Sequence, residues 1–212
     1  MNAEKPLQAT FPLNSITAVP FHLYDMDISM VLDLKRYTVV TNPMINNGTL
    51  KPISMYAPPH YNFVVMEMVK HFDVSKRNIL SALETLGLSV LQNTYSLDTK
   101  KMSEIRTRLY KTNFPLAVDL FGHPENIFPY LNGKRRQNNV YVDPNTIAAP
   151  LGEISEFFCA SISEVSAIAC AHAILTWDDL PDSAKPVFDG DVALFNRHVR
   201  DVLSRAAPYL IT

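Results

Sequence analysis

Glycine is scarce in this chain, with six residues in 212. No GxGxxG and no GxxxxGK(S/T) pattern occurs. Phosphate-cradling loops need such glycines so that backbone amides can approach an anion closely. Their absence argues against a nucleotide enzyme of the Rossmann or P-loop kind. Cysteine is nearly missing as well. Cys159 and Cys170 fall in one apolar stretch, and on a single helix eleven residues rise about 16 Å, too far for a disulfide. We therefore expect both to be small buried side chains in a reducing compartment. The opening MNAEKPLQATFPLNS has no apolar h-region, so no signal peptide is expected, and the localisation we expect is the cytoplasm or a virion. The longest apolar run, residues 154–175, carries Glu156, Glu164 and His172. It reads as the buried core helix of a protein with no membrane partner.

What is present is a globular composition: 47% hydrophobic, 19% charged, mean hydropathy zero. That supports one good core or one core with a satellite. Prolines number fifteen, and seven of them (Pro6, Pro12, Pro20, Pro43, Pro52, Pro58 and Pro59) crowd the first 59 residues. Proline fixes φ and removes a donor, so residues 1–60 read as an extended arm with a possible strand or hairpin. Leu7, Phe11, Leu13 and Ile16 make this arm apolar. Such an arm needs a surface to pack on, its own or a neighbour's. Residues 21–40 alternate apolar and polar side chains from Met26 to Leu34. Ile28, Val31, Leu32 and Lys35 also fit a helical stripe, but the alternation leads us to a strand. Residues 41–60 read as loop.

Residues 61–111 read as a helical mini-bundle. Val65, Met68, Val69 and Phe72 recur with helical period. Next, Ser75 stands where an N-cap would, with Val74 and Ile79 as a hydrophobic staple. Ile79, Leu80, Leu83 and Leu86 follow as a buried stripe. Gly87 is placed for a left-handed helix end with Leu88 beyond it. Asp98 caps a third helix with Met102, Ile105 and Leu109 inward. This segment resembles the small helical module at the N-terminus of bacterial translation initiation factor two. That module carries V-S-x-x-x-(I/L)-L-x-x-L-x-x-L-G-(I/L) and an acid-capped third helix. The match runs through Val74, Ser75, Ile79, Leu80, Leu83, Leu86, Gly87, Leu88 and Asp98. It covers about 50 residues and implies a compact docking unit rather than a chemistry.

Residues 112–212 read as a loop-rich segment followed by a helical core domain. Residues 152–176 form its central helix, and Asp189 caps a last helix that turns Val192, Phe195, Val199, Val202, Leu203 and Ala206 inward. The fold class expected is mainly α, a helical bundle with an extended Pro-rich N-terminal arm and a minor β element.

Charge is divided along the chain. Residues 51–140 hold 12 basic and 7 acidic side chains, and residues 141–212 hold 4 and 10. A basic middle and an acidic tail suit a polyanion partner or head-to-tail self-association, although two solvated faces would look the same. The strongest basic run is Lys134, Arg135 and Arg136, between Tyr130 and Tyr141. Lys101, Arg108 and Lys111 stripe the third helix, interrupted by Glu104. Both are candidate nucleic-acid contacts, and a solvated loop or face is the plain alternative. Pro58-Pro59-His60-Tyr61 has the PPxY form that WW domains bind, but a Pro-led helix start accounts for it better. Six scattered histidines and the acidic pairs near 178–191 show no metal spacing, so we expect no metal and no cofactor.

No convergent acid, base and nucleophile is visible, so we expect a non-enzymatic role. The first functional expectation is a structural assembly subunit, for instance of a virus or phage particle. Its partners would be copies of itself or other assembly proteins. The second is a nucleic-acid-associated adaptor using the 134–136 loop. The third is a small enzyme of unrecognised type.

Overall fold

A computed structural model describes residues 40–112, 136–177, 180, 182 and 184–210. The chain is mainly α with a minor β element, as expected. In chain order the elements are α1 (Asn42–Asn46), β1 (Lys51–Ala57), α2 (Pro59–Phe72), α3 (Lys76–Thr94), α4 (Thr99–Thr112), β2 (Arg136–Val142), a π-helical turn (Pro144–Ala148), α5 (Ala149–Phe157), α6 (Ile162–Leu175) and α7 (Lys185–Leu210). The apolar arm residues Leu7, Phe11, Leu13 and Ile16, residues 21–39 of the strand expected at 21–40, and Lys134 and Arg135 lie outside the described residues; Val40, at the end of that expected strand, is in no strand.

Two segments read as loop contain the sheet. β1 and β2 pair antiparallel, with Ile53 opposite Val140 and Met55 opposite Asn138. Ile53, Met55 and Ala57 turn to the core, as do Asn138, Val140 and Val142. Pro52 is tolerated because a two-stranded sheet has only edges, where a missing donor need not break a ladder. Seven-residue strands with polar first halves and long connections on either side leave little signal in a sequence.

α3 begins as expected, with the Ser75 hydroxyl accepting from the Asn78 amide at 3.3 Å. It does not end at Gly87. The helix continues two more turns and closes at Ser96, whose φ is +52°. There Leu97 N donates to Gln92 O at 2.9 Å and Ser96 N to Asn93 O at 3.4 Å, the paired bonds of a Schellman end. Asp98 then caps α4 by accepting from the Lys101 amide at 3.1 Å.

The apolar stretch at 152–176 is two helices. α5 stops at Cys159, again in a left-handed conformation at φ +52°, and Ala160 N reaches Ser155 O at 2.9 Å. Ser161 starts α6 with a capping box: its hydroxyl accepts from Glu164 N at 3.2 Å, and the Glu164 carboxylate accepts from Ser161 N at 2.8 Å. The chain turns 111° between the two helical stretches. Cys159 is therefore exposed on the turn, while Cys170 is buried in α6 as expected. Asp189 is likewise not a cap, because α7 already begins at Lys185. The inward face of α7 does contain Phe195, Val199, Val202, Leu203 and Ala206, all buried. No single helix among the described residues is long and apolar enough to cross a membrane.

One buried cluster runs from Ile53 to Ala206 and draws on every element from β1 to α7. Residues of the 61–111 segment and of the 112–212 segment share it. α4 packs chiefly on α5 rather than on its neighbours in the expected mini-bundle, and α3 packs chiefly on α6. α6 is the central element, buried continuously from Val165 to Ile174.

Candidate interaction surfaces

The α3–α6 crossing sets the frame on which the surfaces sit. A Cβ on Gly87 would lie 1.9 Å from the Ala169 carbonyl oxygen. The two backbones touch there, so Gly87 serves close approach rather than a helix end. One turn earlier on α3, the Glu84 carboxyl is fully buried. The Ser166 hydroxyl donates to its Oε2 at 2.7 Å, and the Cys170 thiol lies 3.2 Å from the same oxygen. Burial outweighs these two bonds and pushes the Glu84 carboxyl up to about 8. It is thus a neutral acid in the neutral range.

Further buried polar pairs tie α7 to this frame. The Tyr61 hydroxyl of α2 donates to the Asp191 carboxylate, and its ring stacks on Phe188 with centroids 4.6 Å apart. The Tyr95 hydroxyl donates to Asn196 and lies 3.3 Å from His172 Nε2. His172 is the core side chain expected from the sequence, and burial pushes it down to about 4. Pro58 and Pro59 lead α2, with Pro59 in its first turn, which absorbs the PPxY pattern into a helix start.

The first surface is basic and belongs to α4. Met102, Ile105 and Leu109 are buried against the body, and the basic side flanks that buried stripe. At 3.6 residues per turn, Lys100, Lys111, Glu104, Arg108 and Lys101 fall on an arc of about 100°. Two adjoining hollows run along this side and share Glu104 and Arg108. One, of about 430 Å³, is lined by Asp98, Lys100, Lys101, Glu104, Ile105, Arg108 and Tyr209. The other, of about 500 Å³, adds Ser103, Thr107, Lys111 and Thr112. Arg108 Nη2 donates to the Tyr209 carbonyl at 2.6 Å, which fastens the end of α7 to this wall. Arg106 points elsewhere: it donates to the Glu156 carbonyl and pairs with the Glu156 carboxylate at 3.5 Å.

The structure thus gathers Lys101, Arg108 and Lys111, and adds Lys100, which the sequence reading missed. Its spacing to Glu104 and Arg108 was the available signal. Arg136 stands apart at the start of β2. Burial first, and the nearby Arg136 charge second, lower the Lys76 ammonium from its ordinary value. Lys76 opens α3 and Lys101 lies beyond its far end, with about 27 Å of helix between Lys76 and Thr94.

The second surface is apolar. Phe63 is 56% exposed and Met66 41%. They stand three residues apart on the outer face of α2, where helix geometry makes them neighbours. Tyr56 and Ile162 are also exposed, and the Tyr56 amide donates to the hydroxyl of Ser163, next to Ile162 in sequence, at 2.9 Å. Among the described residues no three histidine, cysteine, aspartate or glutamate side chains gather as a metal site. No protein-family model, no curated protein and no solved structure matches the chain.

Proposed function

We propose that this chain is a structural assembly subunit, a component of a larger particle such as that of a virus or phage, acting through protein–protein contacts. The observation that carries the reading is the outer face of α2, where Phe63 and Met66 stand in water. Burying one such side chain is worth about 1.5–3 kcal/mol, so a helix that leaves two adjacent ones uncovered suits a partner surface. The division of the chain into a basic middle and an acidic tail supports a partner that is another copy of the chain. The apolar side chains of Leu7, Phe11, Leu13 and Ile16, read from the sequence alone, suit a second contact of the same apolar kind.

Light scattering on the purified chain tests this directly. A defined oligomer is expected. Phe63→Asp should lower its mass while leaving the thermal midpoint within a few degrees, since the side chain is mostly outside the core. Deleting residues 1–20 should likewise leave a folded, smaller species. A parent chain that is monomeric at every concentration removes self-assembly, and an unchanged oligomer in both variants removes these two contacts.

A further inference from the structure

We infer that the basic side of α4 is a binding groove for single-stranded nucleic acid, with the sugar–phosphate backbone lying along Lys100, Lys101, Arg108 and Lys111. This goes beyond the assembly reading and stands without it.

Two observations converge. The first is charge density. α4 carries five cations and one acid over 14 residues, and four of those cations share one side of the helix. The fifth, Arg106, lies off this arc and pairs with Glu156. The second is shape. The cations do not stand on a convex ridge but line two consecutive hollows that share Arg108. A polyanion laid along them meets a cation at each end and in the middle, over about 16 Å of helix from Lys100 to Lys111. Tyr209, at the end of α7, closes the first hollow with its backbone carbonyl on Arg108, while its side chain packs on the core. The site is thus a row of cations along a concave wall, which matches the successive phosphates of a single strand.

The two carboxylates of the first hollow differ in their employment. Asp98 already accepts from the Lys101 amide as the α4 cap. Glu104 is exposed in the middle of the arc. It opposes a phosphate, so neutralising it should strengthen binding.

The experiment is fluorescence anisotropy with a labelled 20-residue oligothymidylate, titrated over a range of salt concentrations. The parent chain should bind with an affinity that falls as salt rises. Lys100→Ala, Lys101→Ala and Lys111→Ala combined should flatten the log–log salt slope by about two, because each phosphate contact on a single strand contributes roughly 0.7. Glu104→Gln should tighten binding at low salt. Lys100, Glu104 and Lys111 are exposed and Lys101 is half-buried, so melting curves on each variant verify the fold. The inference is overturned by a parent that shows no salt-dependent binding, or by a triple variant that binds as the parent does, which would move the contact elsewhere. It is equally overturned if Glu104→Gln has no effect, or if poly-glutamate competes as well as unlabelled oligonucleotide, which would make the partner an acidic protein. None of these outcomes bears on the oligomer mass, so this inference and the assembly reading fail separately.

Discussion

Gly87 shows how one residue can be placed correctly in importance and wrongly in role. In an exposed helix interior, Gly→Ala gains about 1 kcal/mol from propensity alone. At position 87 the added methyl would meet the Ala169 backbone, which cannot swing aside as a side chain can. Gly87→Ala is therefore expected to destabilise by about 3 kcal/mol or more, at the upper end of overpacking costs. Urea unfolding decides it, and a neutral or stabilising result would mean that α3 and α6 do not touch at this crossing. The helix ends that do turn left-handed carry Asp73, Ser96 and Cys159 instead of glycine. In a glycine-poor chain these ends give no compositional cue, and the one prominent glycine drew the helix end to itself.

At the scale of elements, the break between α5 and α6 is set by local chemistry on both sides. A Schellman end closes α5, and the Ser161–Glu164 capping box opens α6. Ser161 accepts one of the free amides of the first turn, and Glu164 returns the favour to the Ser161 amide. Ser161→Ala should lose about 1 kcal/mol, within the 0.5–2 kcal/mol range for such caps. The change in the urea midpoint at constant slope measures it, and an unchanged midpoint would show that core contacts alone hold the turn. The S-x-x-E spelling was present in the sequence. The apolar side chains on both sides of it, read as one stripe, hid it.

For the whole molecule, the buried acid and the buried imidazole shape stability against pH in opposite senses. Glu84 is raised to about 8 from an unfolded value near 4.5, so the folded state keeps a proton that the unfolded chain releases between those limits. Its contribution is fully present below pH 4.5 and is lost as pH rises towards 8. His172 is lowered to about 4 from 6.5. Its contribution is present above 6.5 and is lost as pH falls towards 4. Between 4.5 and 6.5 the two largely offset each other. From 6.5 to 8 only Glu84 remains of this pair, and stability should fall by about 1.4 kcal/mol per pH unit. Glu84→Gln should abolish that slope. Urea midpoints at pH 6.5 and 7.5 check it, and a slope that survives in the variant would assign the proton to another group.

The helical class, the starts of α3 and α4, the inward faces of α2 and α7, and the burial of His172 and Cys170 were legible in the sequence. They depend on side-chain period and on caps a few residues away. The cations of α4 could be read on the same ground, three of the four from helical spacing. The sheet, the close approach at Gly87, the Glu84–Ser166–Cys170 contact and the hollow that joins Lys100 to Tyr209 could not. Each needs two segments 80 or more residues apart to meet, and no local pattern encodes which segments meet. Sequence determined the apolar stripe that a helix hides. Tertiary packing decided what each one leaves exposed, because exposure depends on the neighbour that does or does not arrive.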